Sequence, residues 1–251
     1  MSLALHDVVV GTDPVRLQAT LRFDVGLHVV VGDNGAGKST LLDVCAGVLR
    51  PTSGRVVVDD LELGALSPRE RARRIASLAQ QPPLVPGLVA RTRIAQGLVA
   101  RRGVDAAIDD DTAARIATVA RRLDIEALLD RRLETLSGGQ RQRVHLARAL
   151  IDDDAKVLVL DEPYAGLDDG AARRLTGALC ERAARQIVIV SVHDLGIALA
   201  LGGRLIGIKR GAVVVDHRLD VGTLDEDADR IFSDPVRVVV DGDLIGVLRR
   251  R

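Results

Sequence analysis

The chain has 251 residues and a mass of 26.8 kDa, and its 35 basic and 35 acidic side chains give a formal net charge of zero. With 47% hydrophobic and 28% charged residues, it can bury a core and remain solvated, which excludes wholesale disorder and fibrous repeats. Its only Phe, Tyr and Trp residues are Phe23, Tyr164 and Phe232, so it lacks a surface on which the bases of single-stranded nucleic acid could stack. We expect a globular protein of one or two domains with no nucleic-acid partner.

The two cysteines and the apolar runs bear on the compartment. Cys45 and Cys180 form no CxxC pair, which disfavours a disulfide framework or a thiolate zinc site and fits a reducing, cytosolic environment. His6 and Asp7 interrupt the first apolar stretch, and no later window holds about 18 uninterrupted apolar residues. We therefore expect neither a signal peptide nor a membrane span.

Short valine-rich runs alternate with longer segments of helical period, which is typical of an α/β sheet covered on both faces. Val29 to Val31 predict a buried strand that enters a glycine-rich loop. Apolar residues from Leu41 to Leu49 recur at helical spacing, and a new strand is predicted at Arg55 to Val58. This order is a strand, loop and helix unit.

The loop of that unit carries the strongest motif of the chain, GxxxxGKS. Its residues are Gly32, Asp33, Asn34, Gly35, Ala36, Gly37, Lys38 and Ser39, followed by Thr40. The glycines let backbone N–H groups turn towards a phosphate, Lys38 reaches the outer phosphates, and the Ser39 hydroxyl can bind Mg²⁺. Kinases, GTPases and motor ATPases share such loops, so this one indicates only that a nucleoside triphosphate binds.

The middle of the chain has a different pattern. Pro82, Pro83, Pro86 and Gly87 interrupt it, and residues 90–136 are helical in period except for a loop at 103–111. An apolar stripe is formed by Ile116, Val119, Leu123, Leu128 and Leu133, and the opposite, solvated face by Arg115, Arg121, Arg122, Arg131 and Arg132. We predict a helical subdomain at 82–136, inserted between core segments 1–81 and 137–216.

Beyond the insert the α/β pattern resumes. A helix, a strand at 157–160, a second helix, a strand at 187–192 and a hairpin through Lys209 to Gly211 are predicted in turn. Residues 217–251 predict a short tail packed on the core, with a short helix and a second hairpin turning at Asp241-Gly242.

Two further stretches carry candidate chemistry. Ser137, Gly138, Gly139 and Gln140 begin a helix, where they could hold a second phosphate or serve only as a helix cap. The apolar strand at 157–160 delivers Asp161 and Glu162 at its end. Asp161 can hold Mg²⁺ and Glu162 can orient or deprotonate an attacking water, although paired acids can also simply begin a loop.

These motifs together carry a family resemblance. The GxxxxGKS loop, LSGGQ at 136–140, VLVLDEP at 157–163, AGLD at 165–168 and SVHD at 191–194, in this order, resemble the nucleotide-binding subunit of an ABC transporter. The resemblance covers about residues 3–216. It implies a P-loop NTPase core with a mixed sheet, an N-terminal antiparallel β part and an inserted helical subdomain, which binds ATP and Mg²⁺.

The resemblance also implies the roles of individual residues. Two copies would join head to tail, so that Ser137, Gly138 and Gly139 of one copy close over ATP held by the Lys38 loop of the other. Lys38, Glu162 as catalytic base and His193 as sensor of the γ-phosphate would be catalytic. Asp168 would belong to the loop that links the two sites.

A glutamine reports nucleotide state to the membrane partner in this family. Gln80 matches it best and Gln81 is a weaker substitute. The implied Mg²⁺ ligands are Ser39, Gln80 and Asp161. The aromatic residue on which the family stacks adenine is missing, because its region reads Val8-Val9-Val10-Gly11. Adenine is expected to rest on apolar side chains such as Val10, with weaker or less base-selective binding.

The function implied is an ATP-hydrolysing motor of an ABC transporter, more in keeping with an importer, at the cytoplasmic face of the membrane. Its expected partners are a second copy, polytopic permease subunits and an extracytoplasmic solute-binding protein. The tail resembles those of iron-siderophore, haem or cobalamin importers, which favours a metal chelate as solute. The alternative is a soluble ABC-type ATPase of an assembly system, such as iron–sulfur cluster assembly. The missing coiled-coil insertion, the missing zinc cysteines and the single nucleotide-binding unit disfavour assembly or repair factors of the translation type, whereas the iron–sulfur assembly ATPase stays open as the alternative.

Overall fold

The computed structural model describes residues 1–79, 86–103 and 107–234 and the strands at 236–241 and 244–249. Its strands are β1 (Ser2–Val10), β2 (Leu17–Asp24), β3 (Gly26–Val31), β4 (Ser53–Val58), β5 (Leu61–Glu62), β6 (Ile75–Leu78), β7 (Val157–Leu160), β8 (Ile187–Val192), β9 (Arg204–Lys209), β10 (Ala212–Arg218), β11 (Val236–Asp241) and β12 (Leu244–Arg249). Its helices are α1 (Lys38–Cys45), α2 (Pro68–Arg74), α3 (Ala90–Ala95), α4 (Val99–Arg102), α5 (Asp110–Leu123), α6 (Gly138–Leu150), α7 (Asp169–Ala183), α8 (Leu195–Leu201) and α9 (Leu224–Ile231).

Within the described residues, ten strands form one mixed sheet in the order β5-β4-β1-β2-β10-β9-β3-β8-β7-β6. The strands β9, β3, β8, β7 and β6 are parallel to their neighbours in this half of the sheet, whereas β1 pairs antiparallel with β2 and β4. The predicted mixed sheet with an N-terminal antiparallel part is confirmed. A parallel half needs long crossover connections, which the helices supply.

The central strands are buried on both faces, which explains their continuous Val and Ile runs. Alternate side chains enter two separate apolar cores. Val29 and Leu158 belong to the core on one face, and Val30, Val159 and Ile189 to the core on the other. The sheet is therefore fixed by burial from both sides.

The helical middle of the chain packs into the first of these cores. The predicted stripe is confirmed, because Ile116, Val119, Leu123, Leu128 and Leu133 are all buried there. The prediction of a wholly solvated arginine face is only partly right. Arg122 pairs with Glu181 of α7 at 2.9 Å, and Arg115 approaches Asp154 at 3.8 Å. Part of this face therefore docks against the rest of the chain.

The chain end beyond β10 packs onto the sheet through α9. Leu224, Ala228 and Ile231 recur at helical spacing and are buried in the same core as the helical middle. The strands β11 and β12 pair antiparallel as the predicted second hairpin requires, but Asp241 lies within β11 opposite Leu244, and Gly242 of the expected turn lies outside the described residues. In the described ranges, no helix combines the length and the apolar character that a bilayer crossing requires.

Strand register determines where the candidate residues meet. Val31 lies opposite Val192, and Leu160 lies between Leu78 and Val190. The carboxyl ends of β3, β8, β7 and β6 therefore share one edge of the sheet, where ligands of open α/β sheets bind. The loops that follow these strands carry the motifs.

Candidate nucleotide site

The loop between β3 and α1 depends on its glycines. Gly35 and Gly37 have φ values of +77° and +111°, in the left-handed region that side chains rarely adopt. A Cβ atom at Gly32 would lie 2.4 Å from the backbone oxygen of Ile208 in β9. The loop can therefore wrap tightly at the start of α1, where backbone N–H groups point out of the helix end.

Lys38 is held inside this loop. Its side chain is 5% exposed, and its Nζ donates to the backbone oxygens of Gly32 at 2.9 Å and Asp33 at 3.1 Å. Burial lowers the pKa of Lys38, against the opposing attraction of Glu162 and Asp161. The ammonium group is thus held in the hollow that a phosphate group would enter.

A cavity of about 640 Å³ opens in front of the loop, within the range that holds small-molecule ligands. It is lined by Pro14, Val15, Arg16, Asn34, Gly35, Gly37, Lys38, Ser39, Thr40, Glu162, Arg210 and Gly211. Among the predicted loop residues, Gly32 and Ala36 are buried behind it. The Asp33 side chain accepts a hydrogen bond from Ser233 N at 2.9 Å, so it is turned towards the chain end.

The two acidic residues at the end of β7 are tied to β8 by one hydroxyl. Ser191 Oγ donates to Asp161 Oδ1 and accepts from Glu162 N at 2.8 Å. Glu162 has a φ of +45°, a strained conformation for a residue with a side chain. Asp161 is buried, whereas Glu162 is half-buried and lines the cavity. The sequence marks Ser191 as the one hydroxyl residue in the otherwise apolar strand β8, a signal of its special role that the motif SVHD alone does not give.

The LSGGQ stretch forms the start of α6. Ser137 Oγ accepts from Gln140 N at 3.3 Å, and Gln140 Oε1 accepts from Ser137 N at 3.0 Å, a reciprocal capping box. The helix-cap alternative is therefore realised in the single chain. Ser137 and Gly138 are exposed and stand apart from the residues that line the Lys38 cavity. Their outward N–H groups can still serve a ligand brought by another molecule.

The ABC transporter family matches residues 22–165, more than half of the chain. The chain belongs to the ABC transporter family. Its loop, acidic pair and capped α6 are thus the parts of an ABC cassette, as the sequence motifs indicated.

Individual relatives support the assignment. The hemin import ATP-binding protein HmuV of Rhodococcus jostii is 36% identical over 231 residues, which is 91% of this chain and 78% of the relative. The molybdenum import ATP-binding protein ModC of Mycobacterium tuberculosis is 39% identical over 191 residues. This match covers 73% of the present chain and 51% of ModC, so the chain spans about half the length of that relative. The ABC cassette MJ0796, solved as a post-hydrolysis dimer with ADP and Pi, superimposes with a TM-score of 0.78 at 25% identity, covering 87% of this chain and 99% of its own.

Other residues expected from the ABC family lie at the same edge or near it. His193 is exposed and directly follows Val192, the partner of Val31 in the sheet, but it is not among the residues that line the cavity. Asp168 caps α7 by accepting from Ala171 N at 2.8 Å, a bond that lowers its pKa. Gln80, and Gln81 beside it, lie outside the described residues. The roles of all four positions in the ABC cassette stay predictions.

The prediction that adenine rests on Val10 is wrong. Val10 is 2% exposed and does not line the cavity, because the alternation of β1 turns its side chain into the core. Pro14, Val15 and Arg16, in the turn between β1 and β2, line the cavity instead.

A magnesium ion fits the chemistry of the residues present. The described part of the chain holds no cluster of three or more His, Cys, Asp or Glu side chains that could bind a metal by themselves. Mg²⁺ commonly binds through one or two protein oxygens together with substrate phosphates and water. The Ser39 hydroxyl and the Asp161 carboxylate suit that ligand set.

Proposed function

We propose that this chain hydrolyses ATP as the motor subunit of an ABC importer. One observation carries the proposal: Lys38, Ser39 and Glu162 line a single cavity in front of a helix N-terminus, with Asp161 fixed behind Glu162 by Ser191. Phosphoryl transfer needs this combination of a cationic cradle, hydroxyl and carboxylate metal ligands, and a residue that positions water.

Each residue has a distinct part in the proposed reaction. Lys38 leaves the backbone oxygens of its own loop to contact the outer phosphates, and the N–H groups of α1 bind the remaining charge. Ser39 and Asp161 hold Mg²⁺, which when bound neutralises charge that develops on the phosphates. Glu162 orients the attacking water or accepts its proton, since its side chain lines the same cavity. His193 contacts the γ-phosphate from the neighbouring strand end.

The proposed working unit is a head-to-tail dimer. Ser137 and Gly138 are exposed on the single chain, at the N-terminus of a helix of 13 residues. In the proposed dimer they close over the nucleotide of the partner copy, where their N–H groups meet its phosphate charge. The dimeric state of the cassette MJ0796 with ADP and Pi supports this arrangement. Binding of two nucleotides then drives closure, and hydrolysis reopens the dimer.

The partners follow from the relatives. HmuV and ModC are named as import ATP-binding proteins, and a further similar cassette, cbiO1 of Clostridium perfringens, is described as part of the ABC transporter complex cbiONQ. We therefore assign this chain to the inner face of the membrane, bound to permease subunits that cooperate with a solute-binding protein. Gln80 would report the nucleotide state to the permease.

The proposed solute is a metal chelate. The hemin import relative supports this class, because its match extends over most of both chains. Relatives named for molybdenum and phosphonate import show that similar cassettes serve chemically different solutes. Transport assays with the copurifying permease test this class.

A first variant, at Lys38, tests the reaction. We expect Lys38→Ala to lower ATP turnover by about 100-fold or more, because the phosphates lose their main cation. Lys156→Ala is the matched control, since Lys156 pairs with Asp59 on the surface away from the cavity. Turnover by Lys38→Ala near the unmutated rate would refute the site.

The second variant tests the dimer. Glu162→Gln should bind ATP yet stall hydrolysis, so that sedimentation with ATP and Mg²⁺ shows a stable dimer. A monomer under these conditions contradicts the paired site.

Purification from detergent extracts separates the two classes of function. A polytopic membrane protein should accompany the chain if it is a transport motor, whereas soluble partners alone favour the assembly ATPase.

A further inference from the structure

A hydrogen bond joins the phosphate loop to residues 232–234, the α9 extension, which lies outside every motif of the family. The backbone N–H of Ser233, two residues beyond the end of α9, donates to Oδ2 of Asp33 at 2.9 Å. Asp33 is the second residue of the GxxxxGKS loop, and the two partners are 200 positions apart in the sequence. The α9 extension therefore acts directly on the loop that is to hold the nucleotide.

The donor of this bond is held in a fixed place. Ile231 is 0% exposed, and a Cβ atom at Gly207 would lie 2.4 Å from its Cγ1 atom, so the end of α9 presses against β9. The next residue is fastened as well, because Lys209 Nζ, at the end of β9, donates to the backbone oxygen of Phe232 at 2.7 Å. The Ser233 amide is thus positioned by β9.

The phosphate loop is fastened to the same strand and to the turn that follows it. A Cβ atom at Gly32 would lie 2.4 Å from the backbone oxygen of Ile208 in β9. Gly211 N, in the turn after β9, donates to the backbone oxygen of Ala36 at 2.8 Å. Strand β9 is therefore the common support of the loop and of the α9 extension.

The carboxylate that accepts this bond is close to Lys38. The backbone oxygen of Asp33 accepts from Lys38 Nζ at 3.1 Å. Burial lowers the pKa of Lys38, and the negative charge of Asp33 is among those that raise it. The same charge repels the phosphates that Lys38 is to contact. An unrestrained Asp33 carboxylate would therefore compete with the nucleotide for the ammonium group.

The bond to Ser233 opposes this competition by turning the carboxylate away. Asp33 is not among the residues that line the cavity in front of the loop. Within the described ranges, no arginine or lysine side chain forms an ion pair with Asp33, so an amide and not a cation orients its carboxylate. A backbone amide is a suitable donor here, because it binds a carboxylate strongly and brings no full charge to the phosphate site.

We propose that the Ser233 amide is a positioning group for the nucleotide reaction: it holds the Asp33 carboxylate away from Lys38 and so keeps the phosphate loop open to ATP. This inference rests on the proposed function, because it concerns the same loop. It makes docking of the α9 extension a condition for tight nucleotide binding.

Equilibrium binding of ATP with Mg²⁺ to the full chain tests the proposal. Ser233→Pro removes the N–H donor, and Phe232 already has the extended backbone that a following proline requires, with a ψ of 153°. We expect Ser233→Pro to weaken ATP binding about 3- to 10-fold, because a charge-assisted hydrogen bond that favours the open loop is lost. Ser233→Ala is the matched control, since it keeps the backbone N–H, and it should bind ATP within about twofold of the unmutated chain.

An Asp33→Ala background shows whether the effect passes through the carboxylate. With no carboxylate to release, Ser233→Pro should cause no further loss there, so the double variant should bind ATP as Asp33→Ala alone does. A general loss of structure after α9 would instead weaken ATP binding by the same factor in both backgrounds. In steady-state hydrolysis, Ser233→Pro should raise the KM for ATP and keep kcat within about twofold, because Asp161 and Glu162 are untouched.

Two results overturn the inference: ATP affinity unchanged by Ser233→Pro, or an equal loss with and without the Asp33 carboxylate. Lys38→Ala separates these failures from failure of the proposed function. If Lys38→Ala binds ATP as tightly as the unmutated chain, the loop is not the nucleotide site. If Lys38→Ala loses ATP and Ser233→Pro does not, the site stands and only the part assigned to Ser233 is wrong.

Discussion

Replacing Ser191 by alanine tests how the acidic pair is held in place. The Ser191 side chain is 0% exposed, donates to Asp161 and accepts from Glu162 N at 2.8 Å. Ser191→Ala removes a hydrogen bond to a buried carboxylate and one acceptor of a backbone N–H. At about 1–3 kcal/mol for each of the two groups that lose a partner, we expect the free energy of unfolding to fall by about 2–6 kcal/mol.

The same substitution should affect turnover more than nucleotide binding. Without the hydroxyl, Asp161 and Glu162 are no longer fixed to β8, and a displacement of about 1 Å at a reacting centre can lower a rate about 100-fold. We expect kcat for ATP to fall about 10- to 100-fold, with ATP affinity changed less than threefold because Lys38 and its loop are untouched.

Urea unfolding and steady-state ATP hydrolysis measure the two effects. Tyr164→Phe is the control, because it also removes a hydroxyl bond, to Thr176 at 2.9 Å, only two residues beyond Glu162. It should lose about 1 kcal/mol of stability and keep kcat within twofold. A Ser191→Ala enzyme with unaltered kcat would show that the hydroxyl does not position the acids.

Three other changes test separate contacts. Asp33→Ala should speed hydrogen exchange at the Ser233 amide, whereas Asp33→Asn, which keeps an acceptor, should not; equal exchange in both contradicts the contact. Ile116→Ala should lower the free energy of unfolding by about 2–5 kcal/mol in urea titrations, because its side chain is wholly buried; a loss below 1 kcal/mol would be inconsistent with that packing. The backbone oxygen of Arg218 and the carboxylate of Asp227 raise the pKa of His217 above 6.5. His217 therefore stabilises the fold fully below pH 6.5 and loses this effect as the pH rises through its folded pKa, so the Tm difference from His217→Gln should shrink between pH 6 and 8; a constant difference opposes this assignment.

The sequence predicted the parts of the fold that burial alone determines. The strands β3, β7 and β8 were recognisable because a strand covered on both faces is apolar throughout. Helix α2 was not predicted, because none of its residues is buried and it has no apolar stripe. The start of α2 is nevertheless encoded in the local sequence, because Ser67 and Glu70 form a capping box and Pro68 occupies the first helical position.

The candidate site shows a similar division. The glycine loop could be located because its conformation and its sequence are directly linked: the positive φ values of Gly35 and Gly37 require glycine. The contact of Ser191 with Asp161 spans 30 positions and arises only from the parallel register of β7 and β8. The prediction that adenine rests on Val10 was wrong for a related reason. Motif spacing located Val10 in the sequence, but it does not give the direction of the side chain, which is buried.

The proposed pairing of two chains also explains a close contact within one. A Cβ at Gly139 would lie 2.6 Å from the backbone oxygen of Gly166, so the start of α6 presses against the loop that follows Glu162. In the proposed dimer, Ser137 meets the nucleotide of the partner while Glu162 serves the nucleotide of its own chain. Any shift of Ser137 on the partner's phosphates then displaces the Gly166 loop and reaches Glu162 through direct packing, because a close-packed contact has no room to absorb it. In the proposed dimer, hydrolysis at one site would thereby be coupled to occupancy of the other.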